Sequence, residues 1–494
     1  MGVIIKQSAY ASIINYIGVA VGAINTIFLF PEFFTQAEYG LFQAMVSMAI
    51  ILSPFAQVGL PRSIVRYFPR FNKGLRSSGR FFTFVLIVAF FTIALFIGLF
   101  QLMDQWVFGF FEKNAPELFH QYWLIIILAS VLVYISIFES FYKAQLNVVI
   151  PTFLREFFLK MSSGLLALMF FLDYISFEWF LRLCVASYAF SLLLLIIILL
   201  VKGQLRFNFS IFQLENSFIK EMSKYMLFIM AGAVGSIIVL RIDQLMVTGF
   251  LGTAETAIYT IAFFMGTVIE IPRRSISQMS DAIIANAFEN ERIDEVKKIY
   301  KQSSINQLIL GSFVFILVVI NLDNIYAIMP KGDEYSSGKW VVIIIGLSKL
   351  VNMGFGVNSE IIISSKHYKS NIYFVLILAA LTIGLNVLLI PEFGLIGAAL
   401  ATFASIFLFN LIKMIYIYYR LQFQPFSIHT ISALLLSGLC YFLLSIVPQF
   451  SNPILNGAYL TFLGFLIFGL LMLFFKPSKE ITKIIQPIRD KFNL

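Results

Sequence analysis

The chain has 494 residues, 60% of them hydrophobic, 16% aromatic and only 12% charged. With a mean hydropathy of +0.90, this excludes a soluble globular protein and predicts one that spans a membrane many times. The net charge of +9 would suit nucleic acid, but the basic residues are spread between apolar runs, so they predict an anionic lipid surface and no nucleic-acid partner.

Taken in order, apolar runs bounded by charges, Pro or Gly predict helices at 7–31, 36–60, 80–103, 119–142, 151–172, 177–201 and 225–249. They continue at 255–279, 304–323, 339–364, 368–390, 394–419, 428–448 and 455–475, about fourteen spans in all. The first run is of spanning length and lacks a small-residue cleavage site, so it reads as a retained helix. Lys and Arg collect on one side, as in Arg62, Arg66, Arg70, Lys202, Lys220, Arg273, Arg292 and Lys297, while the other side holds only Lys113, Lys331 and Lys339. The basic side should be cytoplasmic, which places both termini there. Connections on the opposite side are short, so no extracytoplasmic domain is expected. The longest polar segments are 61–79, 202–224 and 281–303. The last, with Asp294 four residues before Lys298, predicts an amphipathic interfacial helix.

Phe33-Phe34-Thr35-Gln36-Ala37-Glu38-Tyr39-Gly40-Leu41-Phe42 is echoed by Phe250-Leu251-Gly252-Thr253-Ala254-Glu255-Thr256-Ala257-Ile258-Tyr259, at an offset of 217 residues. The offset covers about six spans, an even number, so two copies would run parallel about an axis along the membrane normal. The expected division is an N-terminal lobe over 1–224, a second lobe over 225–427, and a last helix pair with a basic tail over 428–494. Chance similarity of two apolar hairpins is the competing reading.

A charge near the bilayer midplane costs about 2.5–3.5 kcal/mol, so it needs a partner, water or a task. Arg241 shares a stripe with Gln244 and Thr248, while Asp243 aligns with Ser236. The two charges therefore project to different faces, either lining a cavity or clamping other helices. Glu270 can reach Arg273 or Arg274, with Pro272 loosening the helix between; snorkelling to the inner surface competes for both arginines. Lys349, Asn352, Gly356 and Glu360 recur at i, i+3, i+7 and i+11, which predicts one helical face turned to a water-filled interior. Lys160 lies four residues after Glu156 and could pair with it, snorkel or meet a ligand. Arg182 and Lys413 give a fainter signal. Cys184 and Cys440 sit inside apolar runs and the three histidines are scattered, so no disulfide, metal site or cofactor is predicted. Phosphate-loop and nucleophile motifs are absent, so no catalytic residue is assigned.

Ile242-Asp243-Gln244-Leu245-Met246, then Gly249-Phe250-Leu251-Gly252 and Ile258-Tyr259-Thr260-Ile261-Ala262, resemble the polysaccharide-exporter branch of the multidrug/oligosaccharidyl-lipid/polysaccharide (MOP) flippase superfamily. The Phe33 to Tyr67 region, with Glu38-Tyr39-Gly40-Leu41-Phe42 and Gly59-Leu60 before Arg62 and Arg66, looks like that group's first hairpin. The resemblance implies an all-α integral membrane protein with two six-helix lobes, MATE-like, plus two C-terminal helices. It also implies an O-antigen-type or capsule-type flippase that moves a polyprenyl-pyrophosphate-linked oligosaccharide across a bacterial plasma membrane, with polysaccharide assembly machinery as a further partner. By position, Arg241, Asp243, Lys349 and Glu360 are its cavity candidates, joined by Asn352, Glu270, Arg274 and Lys160. Arg241, Lys349 and Lys160 would offset the pyrophosphate charge, and Asp243 or Glu360 would couple a proton or sodium ion. A lipid II flippase fits the same spans. A multidrug exporter would favour an acid-dominated cavity, a glycan ligase or glycosyltransferase would need a sizeable loop, and a scaffold gives no reason for charged stripes.

Overall fold

A computed structural model of the chain describes residues 2–71, 75–204, 207–208 and 215–475. The expected basic tail after Phe475 and parts of the 61–79 and 202–224 segments lie outside the described residues. Among the described residues, all regular structure is helical. Within the described residues, eleven helices are long and apolar enough to cross a membrane, or twelve if the bent pair Gly332–Gly354 and Asn358–Ser364 is one span. The protein is therefore a multi-pass membrane protein. The predicted run 151–172 is built from Val149–Phe153, a π-helical turn Leu154–Phe158, and Leu159–Phe171. The two runs 368–390 and 394–419 form one helical stretch, Ser370–Leu421, interrupted where Gly394 adopts φ 58°.

The chain divides into two compact units, Met1–Ala257 and Ile258–Leu494. In the first, Thr35 starts the Gln36–Gln57 helix with a capping box: its hydroxyl accepts from the Glu38 N–H, and the Glu38 carboxylate accepts from the Thr35 N–H at 2.9 Å. That helix ends at Val58 and Gly59, both with positive φ, and the chain turns into the helix Leu60–Phe71. The buried face of the Gln36–Gln57 helix packs on the helix Asn216–Leu251, where Ser47 Oγ donates to Gln244 Oε1 at 2.6 Å. Asn114 closes the far end of the latter helix by donating to the carbonyls of Gly249 and Phe250, at 2.8 and 2.9 Å. A Cβ on Gly40 would lie 1.6 Å from the Thr253 carbonyl oxygen, so the echoed segments at 33–42 and 250–259 meet directly at a position only glycine can fill. The Asn216–Leu251 helix, expected to open the second lobe at 225, is grouped with the first unit, whose boundary falls after Ala257.

In the second unit, the polar segment 281–303 is not a separate interfacial helix. It is the end of the helix Ile271–Glu289, a turn with Glu291 at φ 54°, and the start of the helix Ile293–Ile320. The reason is apolar anchoring on both arms: Ile284 and Ala287 share a buried cluster with Val296, Tyr300, Val357 and Ile361. The predicted continuous face from Lys349 to Glu360 is also broken. The helix Lys339–Gly354 stops, Gly356 takes φ 64°, and the helix Asn358–Ser364 departs at 45°. Glycine permits that left-handed residue at little cost. Ser304 Oγ donates to the Gly354 carbonyl freed there.

Candidate functional sites

The first unit contains an open cavity of about 710 Å³ whose lining includes Arg62, Arg155, Glu156, Lys160 and Arg241. Arg62 enters it from the first turn after the Val58-Gly59 reversal. Arg155 and Glu156 come from the π-helical turn Leu154–Phe158, a widened turn of the kind frequently found at functional sites. Glu156 bridges two cations, at 3.2 Å from Arg155 Nε and 3.0 Å from Lys160 Nζ. Lys160 Nζ also donates to the Gly18 carbonyl at 3.0 Å. A second π-helical turn, Asn25–Leu29, faces this segment: Asn25 Nδ2 donates to the Lys160 carbonyl at 2.7 Å. Arg241 Nη1 donates to Gln244 Oε1 at 3.3 Å, which leaves most of the guanidinium for the cavity. Gln57, whose Nε2 donates to Ser136 Oγ at 3.2 Å, lines it together with Ser163, Tyr188 and Ser236. The lining thus carries four cations, one carboxylate and a set of hydroxyl and amide groups.

Of the residues singled out in the sequence, Arg241 and Lys160 are brought to this cavity. Asp243 is buried at 5% exposure but is not part of the lining, as its different helical face requires. Sequence reasoning missed Arg62, which it sorted with the charges of the basic side, and Arg155, which lies near the start of the predicted 151–172 run. The Gly59-Leu60 pair before Arg62 was the available signal for one. A π turn, the source of the other, has no recognisable sequence mark.

The second unit holds a buried polar network. Glu270 sits at its centre. Its Oε1 accepts from Arg273 Nη1 at 2.8 Å and Asn352 Nδ2 at 2.7 Å, and its Oε2 lies 3.4 Å from Lys349 Nζ. From Asn352 the bonding runs on: Asn410 Nδ2 donates to Asn352 Oδ1 at 3.1 Å, and Asn358 Nδ2 donates to Asn410 Oδ1 at 2.8 Å. Ser359 Oγ donates to Asn358 Oδ1 at 3.3 Å and accepts from Lys413 Nζ at 2.8 Å. Lys413 is almost fully buried, with Nζ 3.9 Å from the centre of the Phe409 ring. Glu360 Oε1 lies 4.0 Å from Arg273 Nη2, while its buried Oε2 has no hydrogen-bond partner.

Lys349, Asn352, Glu360 and Glu270 are therefore gathered, although the single helical face expected to gather three of them does not exist. Arg274 is exposed, beside the network rather than in it. The asparagines Asn358 and Asn410 and the buried Lys413 are the parts the sequence did not assemble, because they meet across helices and share no spacing. Among the described residues no group of three or more His, Cys, Asp or Glu is gathered to hold a metal ion.

No family model matches the chain, and no curated protein does. Solved structures do. One is a lipid II flippase MurJ in an inward closed conformation, with a TM-score of 0.75 at 14% identity, covering 94% of this chain and 98% of that one. Another is an inward-facing multidrug resistance MATE family transporter of the MOP superfamily, at 0.63 and 13%, covering 84% and 94%. A MATE transporter from Vibrio cholerae matches at 0.54 and 14%, covering 85% and 98%. At such identities the likeness is one of fold: this chain has the fold shared by MurJ and the MATE transporters.

Proposed function

We propose that the protein is a flippase for a polyprenyl-pyrophosphate-linked oligosaccharide, working by alternating access in a bacterial plasma membrane. The observation that carries this reading is the charge of the first unit's cavity, where Arg62, Arg155, Lys160 and Arg241 face a single carboxylate, Glu156. A pyrophosphate drawn away from water needs matched cations and hydrogen-bond donors, and guanidinium forks suit phosphate oxygens. Ser53, Gln57, Ser136 and Ser163 supply groups that can bond sugar hydroxyls, while the polyprenyl tail stays in the bilayer. A cationic drug would meet repulsion from the same lining, which argues against the multidrug-exporter reading despite the shared fold.

A lipid II flippase is the second reading, favoured by the fold match to MurJ over 98% of that chain; lipid II is also a lipid-linked diphosphate, so the cavity chemistry serves both. Coupling to a proton or sodium ion belongs to the proposal, as does handover to polysaccharide assembly machinery. The test is a strain lacking the gene, with its lipids extracted and weighed by mass spectrometry. An accumulated polyprenyl-pyrophosphate oligosaccharide with loss of surface glycan, both reversed by the wild-type gene, supports the first reading. Accumulated lipid II with lysis moves the assignment to the second. Heightened dye sensitivity without any lipid-linked intermediate defeats both.

A further inference from the structure

Arg62, Arg66 and Arg70 recur at i, i+4 and i+8 along the helix Leu60–Phe71, and all three are exposed. Its other face, with Ile64, Tyr67 and Phe68, is buried. Because Arg62 also lines the cavity, the row begins there and runs outward along the surface for about 12 Å. Successive members stand about 6 Å apart along the axis, less than the screening length of about 8 Å at physiological salt, so an approaching anion meets them as one field. Aromatic rings hold the two outer members. The Arg66 guanidinium carbon lies 4.3 Å from the centre of the Tyr225 ring, and that of Arg70 lies 4.9 Å from the centre of the Tyr67 ring. Tyr67 is itself fixed, since its hydroxyl donates to Glu221 Oε1 at 3.0 Å, while Glu221 Oε2 lies 3.4 Å from Arg70 Nη1. Stacking occupies the face of a guanidinium and leaves N–H groups at its edge for phosphate oxygens. A general excess of basic residues on one side of a membrane explains their number, but not a single row continuous with a cavity lining and seated on ring faces.

We propose, building on the flippase reading, that Arg66 and Arg70 form a capture site outside the cavity, where the substrate's diphosphate is first held before it passes to Arg62. The division of labour follows from exposure. Charges on a solvated rim set how fast an anion arrives, whereas cations inside the cavity set how long it stays. Glu221 damps the row by neutralising part of the Arg70 charge; the two side chains are about equally exposed, at 55% and 48%.

The experiment mixes the full chain, in nanodiscs of phosphatidylcholine, with geranyl diphosphate carrying a fluorophore on its tail, and follows binding by stopped flow. The double variant Arg66→Gln/Arg70→Gln should associate about tenfold more slowly at low salt, with the gap closing at about 0.5 M salt. Its dissociation rate should stay within about twofold of wild type. Arg66→Lys/Arg70→Lys keeps the charge and should restore the rate, while Glu221→Gln should raise it above wild type. Arg70→Gln alone, at a half-exposed position, carries the test if the double variant folds poorly. Unchanged association in the folded variants overturns the capture site and leaves the flippase reading standing. A loss that appears in the dissociation rate also overturns it, since the two arginines would then belong to the final site. Repeating the measurement in discs containing phosphatidylglycerol separates the two sources of phosphate: if the difference between wild type and the double variant vanishes there, bilayer headgroups occupy the row and the capture role falls. Failure of wild type to bind the probe overturns the inference together with the reading beneath it.

Discussion

Asn352 Nδ2 donates to Glu270 Oε1 at 2.7 Å, joining helices whose contributing residues lie 82 positions apart. Through this one amide, the carboxylate that neutralises Arg273 and Lys349 is tied to the chain of Asn410, Asn358, Ser359 and Lys413. Inside a membrane such groups have no water to fall back on, so the network should hold the second unit together.

Glu270→Gln leaves two neighbouring cations without their carboxylate and is expected to destabilise the protein by about 3 kcal/mol. Asn352→Leu, which removes hydrogen bonds but no charge, should cost about 1–3 kcal/mol. Unfolding of the purified variants in detergent checks the ranking. A Glu270→Gln protein that unfolds with wild type would show that the network contributes nothing to stability.

Arg241 and Lys349 look alike in the sequence, yet their surroundings predict opposite phenotypes. Arg241 donates to Gln244 Oε1 at 3.3 Å and lines the cavity. Arg241→Ala should therefore fold normally and lose export by about tenfold or more, the worth of one charged hydrogen bond to substrate. Lys349 is buried against Glu270, so Lys349→Ala should first lower thermal stability and protein level. Surface-glycan output normalised to membrane-inserted protein separates the two; equal export by Arg241→Ala would remove it from the site.

Gly40→Ala drives a methyl group to within 1.6 Å of the Thr253 carbonyl oxygen, a backbone atom that cannot turn aside. Folded yield is expected to collapse. Gly356→Ala meets a gentler obstacle: its Cβ would approach Ser303 Oγ at 3.0 Å, but φ is 64°, and the left-handed backbone costs a non-glycine residue about 1–2 kcal/mol. That variant should be recovered folded with a lowered unfolding temperature. The reverse order would contradict the packing described for both glycines.

His367 lies in the turn before Ser370–Leu421, its ring edge-on to Tyr416 at 5.7 Å. Burial, with Arg420 and Lys366 nearby, lowers its pKa from the ordinary 6.5. The unfolded chain then takes up the proton more readily, so the contribution of this residue is complete above the ordinary value and is lost as pH falls below it. Unfolding temperatures measured at about pH 7.5 and about pH 5.5 should differ more for wild type than for His367→Gln. An identical acid sensitivity in the variant would assign the effect to other groups.

The membrane class and the positions of the helices were legible because hydrocarbon thickness imposes run length directly on the sequence. Helical spacing also gave the Glu156–Lys160 and Glu270–Arg273 pairs, which lie within one turn. It failed at Lys349 to Glu360, where the i, i+3, i+7, i+11 pattern survives on paper but Gly356 breaks the helix that would realise it. Glu360 still reaches the network, by way of Arg273 rather than by a shared face. Contacts such as Asn352 to Asn410 depend on which helices adjoin, and no periodicity within either helix encodes that.

The widened turns at Asn25–Leu29 and Leu154–Phe158 make the chain's length part of its chemistry. Removing Phe157 or Phe158 from the second would restore ordinary helical winding and leave what lies beyond it in nearly the same phase. Arg155 and Lys160 would then stand four residues apart and Glu156 and Lys160 only three, which re-spaces the charges with every charged letter still in place. Among related chains, a single gap in this segment should therefore mark a change of cargo more reliably than any substitution within it.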